Sequence, residues 1–408
     1  MNAVVKPGPL RGRVAAPPSK SHVHRLLIAA ALGEGETRIH CPGENEDIDA
    51  TVRCLSALNT DILKEGDWFR VCRDLPLHFF QPSNVLDCGE SGSTLRFMLP
   101  LCAAKELDQP GRSGIRLTGA GRLPSRPNGP LLEALRSHGA KIDGDFLPLT
   151  VRGGLCPGSF SLPGNISSQF FTGLLFALPL LSGDSTLAYT SPLESMPYVD
   201  LTLSVLRQFG IRIEEMENGW GIPGNQRYAS PSAVEAEGDW SAAAFWLGAD
   251  QLGNAVAVGG LDPASCQGDK AIEKLLAQIG GEIDVTDTPD LMPVLAAVAA
   301  ALPGQETRIT GAARLRLKES DRITAMAKTV RALGGSAEEY PDGLKIHGTK
   351  LTGGTVDGIN DHRVVMSAAV AATVCENPVT ILGAEAVNKS YPGFWKDFEA
   401  LGGQVHVG

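Results

Sequence analysis

Five short stretches gather small polar residues, four of them with cations, at what read as helix starts. They are Pro18-Ser-Lys-Ser21 with Arg25, Gly89-Glu-Ser-Gly-Ser-Thr-Leu-Arg96, Asn165-Ile-Ser-Ser-Gln169, Lys318-Glu-Ser-Asp-Arg322 and Asn360-Asp-His-Arg363. The chemistry they share is anion binding. A helix N-terminus offers free N–H donors and the positive end of its dipole. Ser and Gly let a phosphate approach the backbone, Lys adds a point charge, and Arg adds a two-pronged donor for phosphate or carboxylate. Taken singly, each stretch also reads as an ordinary capped helix start or a solvated charged face; their joint occurrence carries the signal. Repeated at converging helix ends, they would make a strongly positive cleft.

The rest of the chain is acidic. It has 408 residues and a formal net charge of −10, so a cationic site must be concentrated locally. That balance argues against a general nucleic-acid binder. Hydrophobic residues make up 43% and charged residues 20%, the composition of a globular protein too long for one ordinary core. The eight cysteines form no C-x-x-C pair and show no metal-ligand spacing, which predicts reduced thiols in a cytoplasmic protein. No signal peptide is evident. The longest apolar runs, Gly173 to Leu181 and Val294 to Leu302, fall far short of the roughly 20 residues of a membrane span.

The elements that position these motifs repeat. An amphipathic stretch, a Gly or near substitute, and a short β-like segment recur six times, with the stop at Asn59, Gly139, Gly210, Gly280, Gly334 and Gly402. Apolar residues at three- and four-residue spacing mark the helix face, and the Gly takes the left-handed turn that ends it. Asn59 tolerates the same geometry. The stretches Glu217-Asn-Gly-Trp220 and Tyr340-Pro-Asp-Gly-Leu344 read as hairpin turns. A second, strongly apolar helix precedes each copy: Arg25 to Leu32, Ser93 to Ala103, Ser168 to Leu181, Ser241 to Ala249, Met292 to Ala301 and His362 to Thr373. A helix that is apolar nearly all round belongs inside a domain. The expectation is six α/β units in two domains of three, with buried helices wrapped by sheets.

With Pro17-Pro-Ser-Lys-Ser21, Ser167-Ser-Gln169, Lys318-Glu-Ser-Asp-Arg322 and Asn360-Asp-His-Arg363 in this order, the chain resembles the enolpyruvyl transferase family, in its shikimate-pathway branch, from about Pro17 to about Pro392. The resemblance implies an α/β fold of two similar domains, each of three βαβαββ units around buried helices (an inside-out α/β barrel), with the active site in the interdomain cleft. It implies one discontinuous domain of residues 1–18 and 233–408, and a second of residues 19–232 on the shikimate 3-phosphate side. It implies transfer of the enolpyruvyl group of phosphoenolpyruvate to the 5-hydroxyl of shikimate 3-phosphate by a monomer. It implies no metal or organic cofactor, and no nucleic-acid or membrane partner is expected.

The site residues follow motif by motif. Lys20, Ser21, Arg25, Ser167, Ser168, Gln169, Ser195, Tyr198, Asp290 and Lys318 would hold shikimate 3-phosphate. Lys20, Gly92, Arg126, Gln169, Arg322, Arg363 and Lys389 would hold phosphoenolpyruvate. Asp290, Glu319 and Lys20 would be catalytic. Two positions depart from the family pattern. Glu90 replaces the usual Asn and would repel anions unless Arg96 or another cation pairs with it, and Arg314 stands where many members have Asn. Two rival readings are the sister transferase acting on a UDP-linked amino sugar and a non-catalytic binder of phosphorylated metabolites. Against the first, Lys20 is followed by Ser21 rather than Asn, and no Cys lies between Gly119 and Arg126. Against the second, the proton-transfer groups are all present.

Overall fold

All six stop residues hold the left-handed conformation, with φ of 62° at Asn59, 89° at Gly139, 76° at Gly210, 96° at Gly280, 86° at Gly334 and 90° at Gly402. In this computed structural model, which describes residues 1–43, 45–73, 85–104 and 114–408, the repeat is a repeat of conformation. Five copies close in the same way. Hydrogen bonds Asn59 N to Ser56 O and Thr60 N to Leu55 O recur as Gly139 to Arg136 with Ala140 to Leu135, Gly210 to Arg207 with Ile211 to Leu206, Gly334 to Arg331 with Gly335 to Val330, and Gly402 to Glu399 with Gly403 to Phe398. These paired bonds satisfy carbonyls that a helix end would otherwise leave bare.

The chain divides into two compact units, Lys20–Ala236 and Met1–Ser19 with Glu237–Gly408. Lys20–Ala236 carries three four-stranded sheets of one design: a parallel pair, then an antiparallel neighbour, then its hairpin partner. In strand order they are Ala233–Glu235, Gly35–His40, Trp68–Arg73 and Asp61–Glu65; Val85–Asp87, Ile115–Thr118, Leu149–Val151 and Ile142–Asp143; and Ser159–Leu162, Ser185–Tyr189, Gly219–Ile222 and Glu214–Met216. Inside lie the helices Lys20–Leu32, Gly92–Ala103 and Ser168–Ala177, buried over nearly their whole surface. The last two come so close that a methyl at Gly173 would collide with the Arg96 carbonyl; only a residue without a Cβ permits that approach.

The other unit has the same plan, with Trp240–Gln251, Met292–Ala300 and His362–Ala372 as its buried helices. Its sheets are Glu282–Asp284, Glu306–Thr310, Gly343–His347 and Ser336–Tyr340, and then Gly354–Asp357, Val379–Leu382, Asn2–Lys6 and Gln404–Val407. The start of the chain therefore supplies a strand to the last sheet. Trp246 stacks on Phe394 at 5.0 Å between ring centres in this core.

The fourth copy departs from the plan. Its second helix is only Ile272–Leu276, and Gly280 N donates to Thr307 Oγ1 rather than to its own helix. No hairpin follows: Glu282–Asp284 already belongs to the next sheet. The remaining strands, Arg11–Ala15 and Ala255–Gly259, form a parallel pair alone. The fourth and fifth stops are the nearest neighbours of the series, at 280 and 334, and the chain between them has no length for an extra hairpin.

Candidate active site

Within the unit of the chain termini, the functional motifs gather on one buried guanidinium. Arg322 opens the helix Arg322–Ala332, whose cap, Asp321, accepts from Thr324 N. Its Nε donates to Asp361 Oδ2 at 2.8 Å, its Nη1 to Asp290 Oδ1 at 2.8 Å and its Nη2 to Glu319 Oε2 at 2.7 Å. Asp361 caps the buried helix His362–Ala372 through Arg363 N at 3.0 Å and also accepts from Ser320 Oγ at 2.8 Å. Asp290 stands in the turn Pro289–Leu291 at the start of another buried helix. It meets Arg363 Nη2 at 3.1 Å, and Lys318 Nζ lies 3.8 Å away. Ser241 accepts the other bond of Arg363 Nη2 at 2.7 Å, and Lys389 Nζ donates to Asn360 O at 2.8 Å.

Charge balance explains why this cluster can be buried. Three carboxylates, Asp290, Glu319 and Asp361, face the cations Arg322, Arg363 and Lys318. Burial opposes the ionisation of Asp290, but Arg363, Lys318 and Arg322 outweigh it and hold its carboxyl far below the usual range. Burial likewise opposes the ionisation of Asp361, and chiefly Arg322 lowers it. Arg322 is held cationic against burial by the same carboxylates.

In Lys20–Ala236 a second set of groups gathers at the starts of its buried helices. Lys20 Nζ donates to Asp47 Oδ2 at 2.8 Å. Arg25, one turn further on, donates from Nε to Thr202 Oγ1 at 2.8 Å, from Nη1 to Ser21 O at 2.6 Å and from Nη2 to Tyr198 O at 2.8 Å. Its guanidinium lies 5.3 Å from the centre of the Phe97 ring. Arg96 donates to Asn128 Oδ1, Gln169 Oε1 and Pro127 O, and Gln169 returns a bond to Ser93 Oγ at 2.9 Å. Gly92 lies flat against Arg126: a methyl there would stand 2.7 Å from Nη1. Ser167 caps the helix Ser168–Ala177 without a side-chain capping bond, so its hydroxyl is not spent on the helix. Ser195 caps Met196–Gln208 in the left-handed conformation, φ 58°.

The structure thus groups Asp290, Glu319, Lys318, Arg322, Arg363 and Lys389 in one unit, and Lys20, Ser21, Arg25, Gly92, Arg126, Ser167, Ser168, Gln169, Ser195 and Tyr198 in the other. Sequence reasoning missed several members. Asp361 lay within a quoted motif, yet nothing in its spacing says that it is the common acceptor for Arg322, Ser320 and Arg363. Asp47, Ser241 and Thr202 are remote in sequence from the groups they meet, as is Thr172, whose hydroxyl lies 3.4 Å from Arg25 Nη2 and 2.9 Å from Thr202 Oγ1. Of the two departures from the family pattern, Glu90 packs its carboxylate over Gly121, whose positive φ and missing side chain leave room for it, and Arg314 donates to Thr286 O at 2.7 Å.

This arrangement can bind anions and move protons, and comparison with known proteins agrees with that chemistry. The family model described as EPSP synthase (3-phosphoshikimate 1-carboxyvinyltransferase) matches residues 4–292 and 281–398. The 3-phosphoshikimate 1-carboxyvinyltransferase of Clostridium acetobutylicum is 41% identical over 433 residues, covering 100% of this chain and 99% of that protein. The protein of the same name from Halobacterium salinarum strain R1 is 40% identical over 436 residues, covering 98% and 99%. Among solved structures, EPSP synthase from Acinetobacter baumannii superposes with a TM-score of 0.81 at 25% identity, covering 100% of both chains. The enolpyruvyl transferase NikO from Streptomyces tendae shares the fold, with a TM-score of 0.75 at 18% identity over 99% and 98%. With matches of this length and identity, the chain belongs to the EPSP synthase (3-phosphoshikimate 1-carboxyvinyltransferase) family.

Proposed function

We propose that this chain transfers the enolpyruvyl group of phosphoenolpyruvate to the 5-hydroxyl of shikimate 3-phosphate, releasing phosphate, and that the two residue sets described above act on the same pair of reactants. The observation that carries the reading is the joining of Asp290 and Glu319 through the single buried guanidinium of Arg322, with Lys318 beside them.

The chemistry needs such a pair. The 5-hydroxyl oxygen bonds to C2 of phosphoenolpyruvate and gives up its proton, while C3 gains one. The tetrahedral intermediate then expels phosphate, and C3 loses a proton to restore the double bond. Proton traffic in both directions calls for carboxylates within hydrogen-bond reach of the reacting atoms. Asp290, held ionised by its three cations, is a hydrogen-bond acceptor that suits it to orient the 5-hydroxyl. Glu319 and Lys20 are the partners for the remaining transfers. Cations around the leaving phosphate lower the barrier by stabilising charge as it develops.

The binding role of each substrate draws on both sets. Lys20, Ser21, Arg25, Ser167, Ser168, Gln169, Ser195, Tyr198, Asp290 and Lys318 hold shikimate 3-phosphate. Lys20, Gly92, Arg126, Gln169, Arg322, Arg363 and Lys389 hold phosphoenolpyruvate. Arg25 is anchored for its shikimate 3-phosphate role by Thr202, Ser21 and Tyr198. In its phosphoenolpyruvate role Arg322 is anchored by Asp290, Glu319 and Asp361. The eight cysteines are thiols rather than disulfides, which supports a reducing compartment, and we place the chain in the cytoplasm as a monomer.

Phosphate release from phosphoenolpyruvate tests the reading, with shikimate 3-phosphate in one reaction and UDP-N-acetylglucosamine in another. Release with shikimate 3-phosphate alone is the expected result. Release only with the UDP-sugar would transfer the assignment to the sister activity, and release with neither would leave a binding protein on an enzyme fold.

A further inference from the structure

A chain of buried hydroxyls ties three helices of Lys20–Ala236 together at the cap of the helix that begins with Gly92. Ser91 caps that helix, accepting from Thr94 N at 3.2 Å and from the Thr94 hydroxyl at 2.8 Å. Thr94 Oγ1 also lies 2.7 Å from Thr51 Oγ1, on the helix Glu46–Ala57. Thr51 Oγ1 in turn lies 2.8 Å from His24 Nδ1, on the helix Lys20–Leu32. All four residues are buried.

Hydrogen counting gives this chain a direction. A hydroxyl has one hydrogen to donate. Thr94 spends its own on Ser91, so Thr51 must donate to Thr94. Thr51 then has none left, and the contact with His24 needs a hydrogen from the ring. His24 therefore carries its proton on Nδ1. Its Nε2, buried without a hydrogen-bond partner, is then a bare acceptor rather than a stranded N–H donor, the less costly of the two orphans. Burial, with Lys20 and Arg25 nearby, pushes the ring well below the usual histidine range, so it takes no second proton.

We propose that His24 is a positioning residue: as its Nδ1–H tautomer it starts a donor chain through Thr51 and Thr94 that fixes the Ser91 cap and, with it, the Gly92 backbone beside Arg126. The functional part rests on the reading that Gly92 and Arg126 hold phosphoenolpyruvate. Neither His24 nor Thr51 belongs to the substrate-binding sets above. Their effect is therefore on one substrate, through the cap.

The test uses the full chain and Thr51→Val, which removes the relaying hydroxyl at nearly constant shape. The expected result is a KM for phosphoenolpyruvate raised about tenfold, with KM for shikimate 3-phosphate and kcat within about twofold, and recovery in Thr51→Ser. An unchanged phosphoenolpyruvate KM, an equal rise for both substrates, or no recovery in Thr51→Ser would overturn the positioning role. A second readout does not need a variant to turn over: imidazole 15N spectra of the wild-type chain, with His24 identified as the ring whose signals move in Thr51→Val. A neutral ring protonated on Nδ1 is expected; protonation on Nε2, or an imidazolium at neutral pH, would sink the donor chain. Loss of shikimate 3-phosphate-dependent turnover in the wild type would instead remove the functional reading, and the spectra would still decide the direction of the chain.

Discussion

Asp361 is the residue on which the buried ion cluster depends most, and Asp361→Asn measures it. Its carboxylate is fully buried and serves four donors. Oδ2 takes Arg322 Nε and Ser320 Oγ, and Oδ1 takes Arg363 N and, at 3.4 Å, Arg322 Nη2. An amide keeps the shape but has one acceptor oxygen. Whichever way it turns, its NH2 group faces donors, and Arg322 loses a buried counter-charge. Breaking a buried pair from one side costs about 3–5 kcal/mol. For a unit of this size each kcal/mol moves the melting point by about 2–4 °C, so Tm should fall by on the order of 10 °C.

The pH dependence supplies a signed check. The folded carboxyl titrates below its unfolded value, with burial opposing and Arg322 leading the lowering. Its stabilisation is therefore complete above the ordinary carboxylate range, near pH ~4, and is lost as pH falls through the folded value. Calorimetry of wild type and Asp361→Asn from pH 7 downward should show a full gap at neutrality that narrows below pH ~4. A gap under about 1 kcal/mol at pH 7, or one that widens in acid, would refute the view that Asp361 neutralises Arg322.

Three further outcomes are expected. Asp290→Asn and Glu319→Gln should each lower kcat by about 10²–10⁴-fold, while shikimate 3-phosphate binding, followed calorimetrically, falls far less at Asp290, which touches that substrate, and stays largely intact at Glu319; losses in binding equal to those in turnover would leave the acid–base roles unsupported. The repeat caps can be compared by denaturation. Gly402→Ala meets no neighbouring atom, only the strain of φ 90°, and should cost about 1–2 kcal/mol, whereas Asn59→Gly at φ 62° should not destabilise; equal losses at both sites would mean that the left-handed turn is not what these positions require. A thiol reagent on the native chain should label exposed Cys156 first and leave Cys41, Cys54, Cys88, Cys102 and Cys375 untouched; rapid labelling of any of those five would contradict their burial.

Much of the fold was legible because its signals are local. A helix stop that needs positive φ demands Gly or Asn whatever surrounds it, so Asn59, Gly139, Gly210, Gly280, Gly334 and Gly402 marked the repeat. The apolar helices Met292–Ala300 and Ser168–Ala177 declared their burial by lacking a polar face. The fourth copy carried the same stop signal but no hairpin. Whether a strand stays with its own copy is settled by pairing, and Glu282–Asp284 pairs onward with Glu306–Thr310.

The chemistry was legible as residue types, and less so as partnerships. Lys318-Glu-Ser-Asp-Arg322 and Asn360-Asp-His-Arg363 announced anion chemistry from composition and order alone. Helix starts rich in cations suggested a bare positive site; the folded chain instead sets Glu319 from the same motif, and Asp290 and Asp361 from 32 and 39 residues away, against Arg322, because a guanidinium this deeply buried is stable only when its charge is matched. Glu90, by sequence a repulsive intruder, lies over Gly121. By itself the sequence determined the helices, their ends, the repeat and the inventory of charged groups, since each depends on a few neighbouring residues. Only the tertiary structure decided which carboxylate meets which cation, which strand completes which sheet, and how His24, Thr51, Thr94 and Ser91 align. Those outcomes depend on distances between segments that no local pattern encodes.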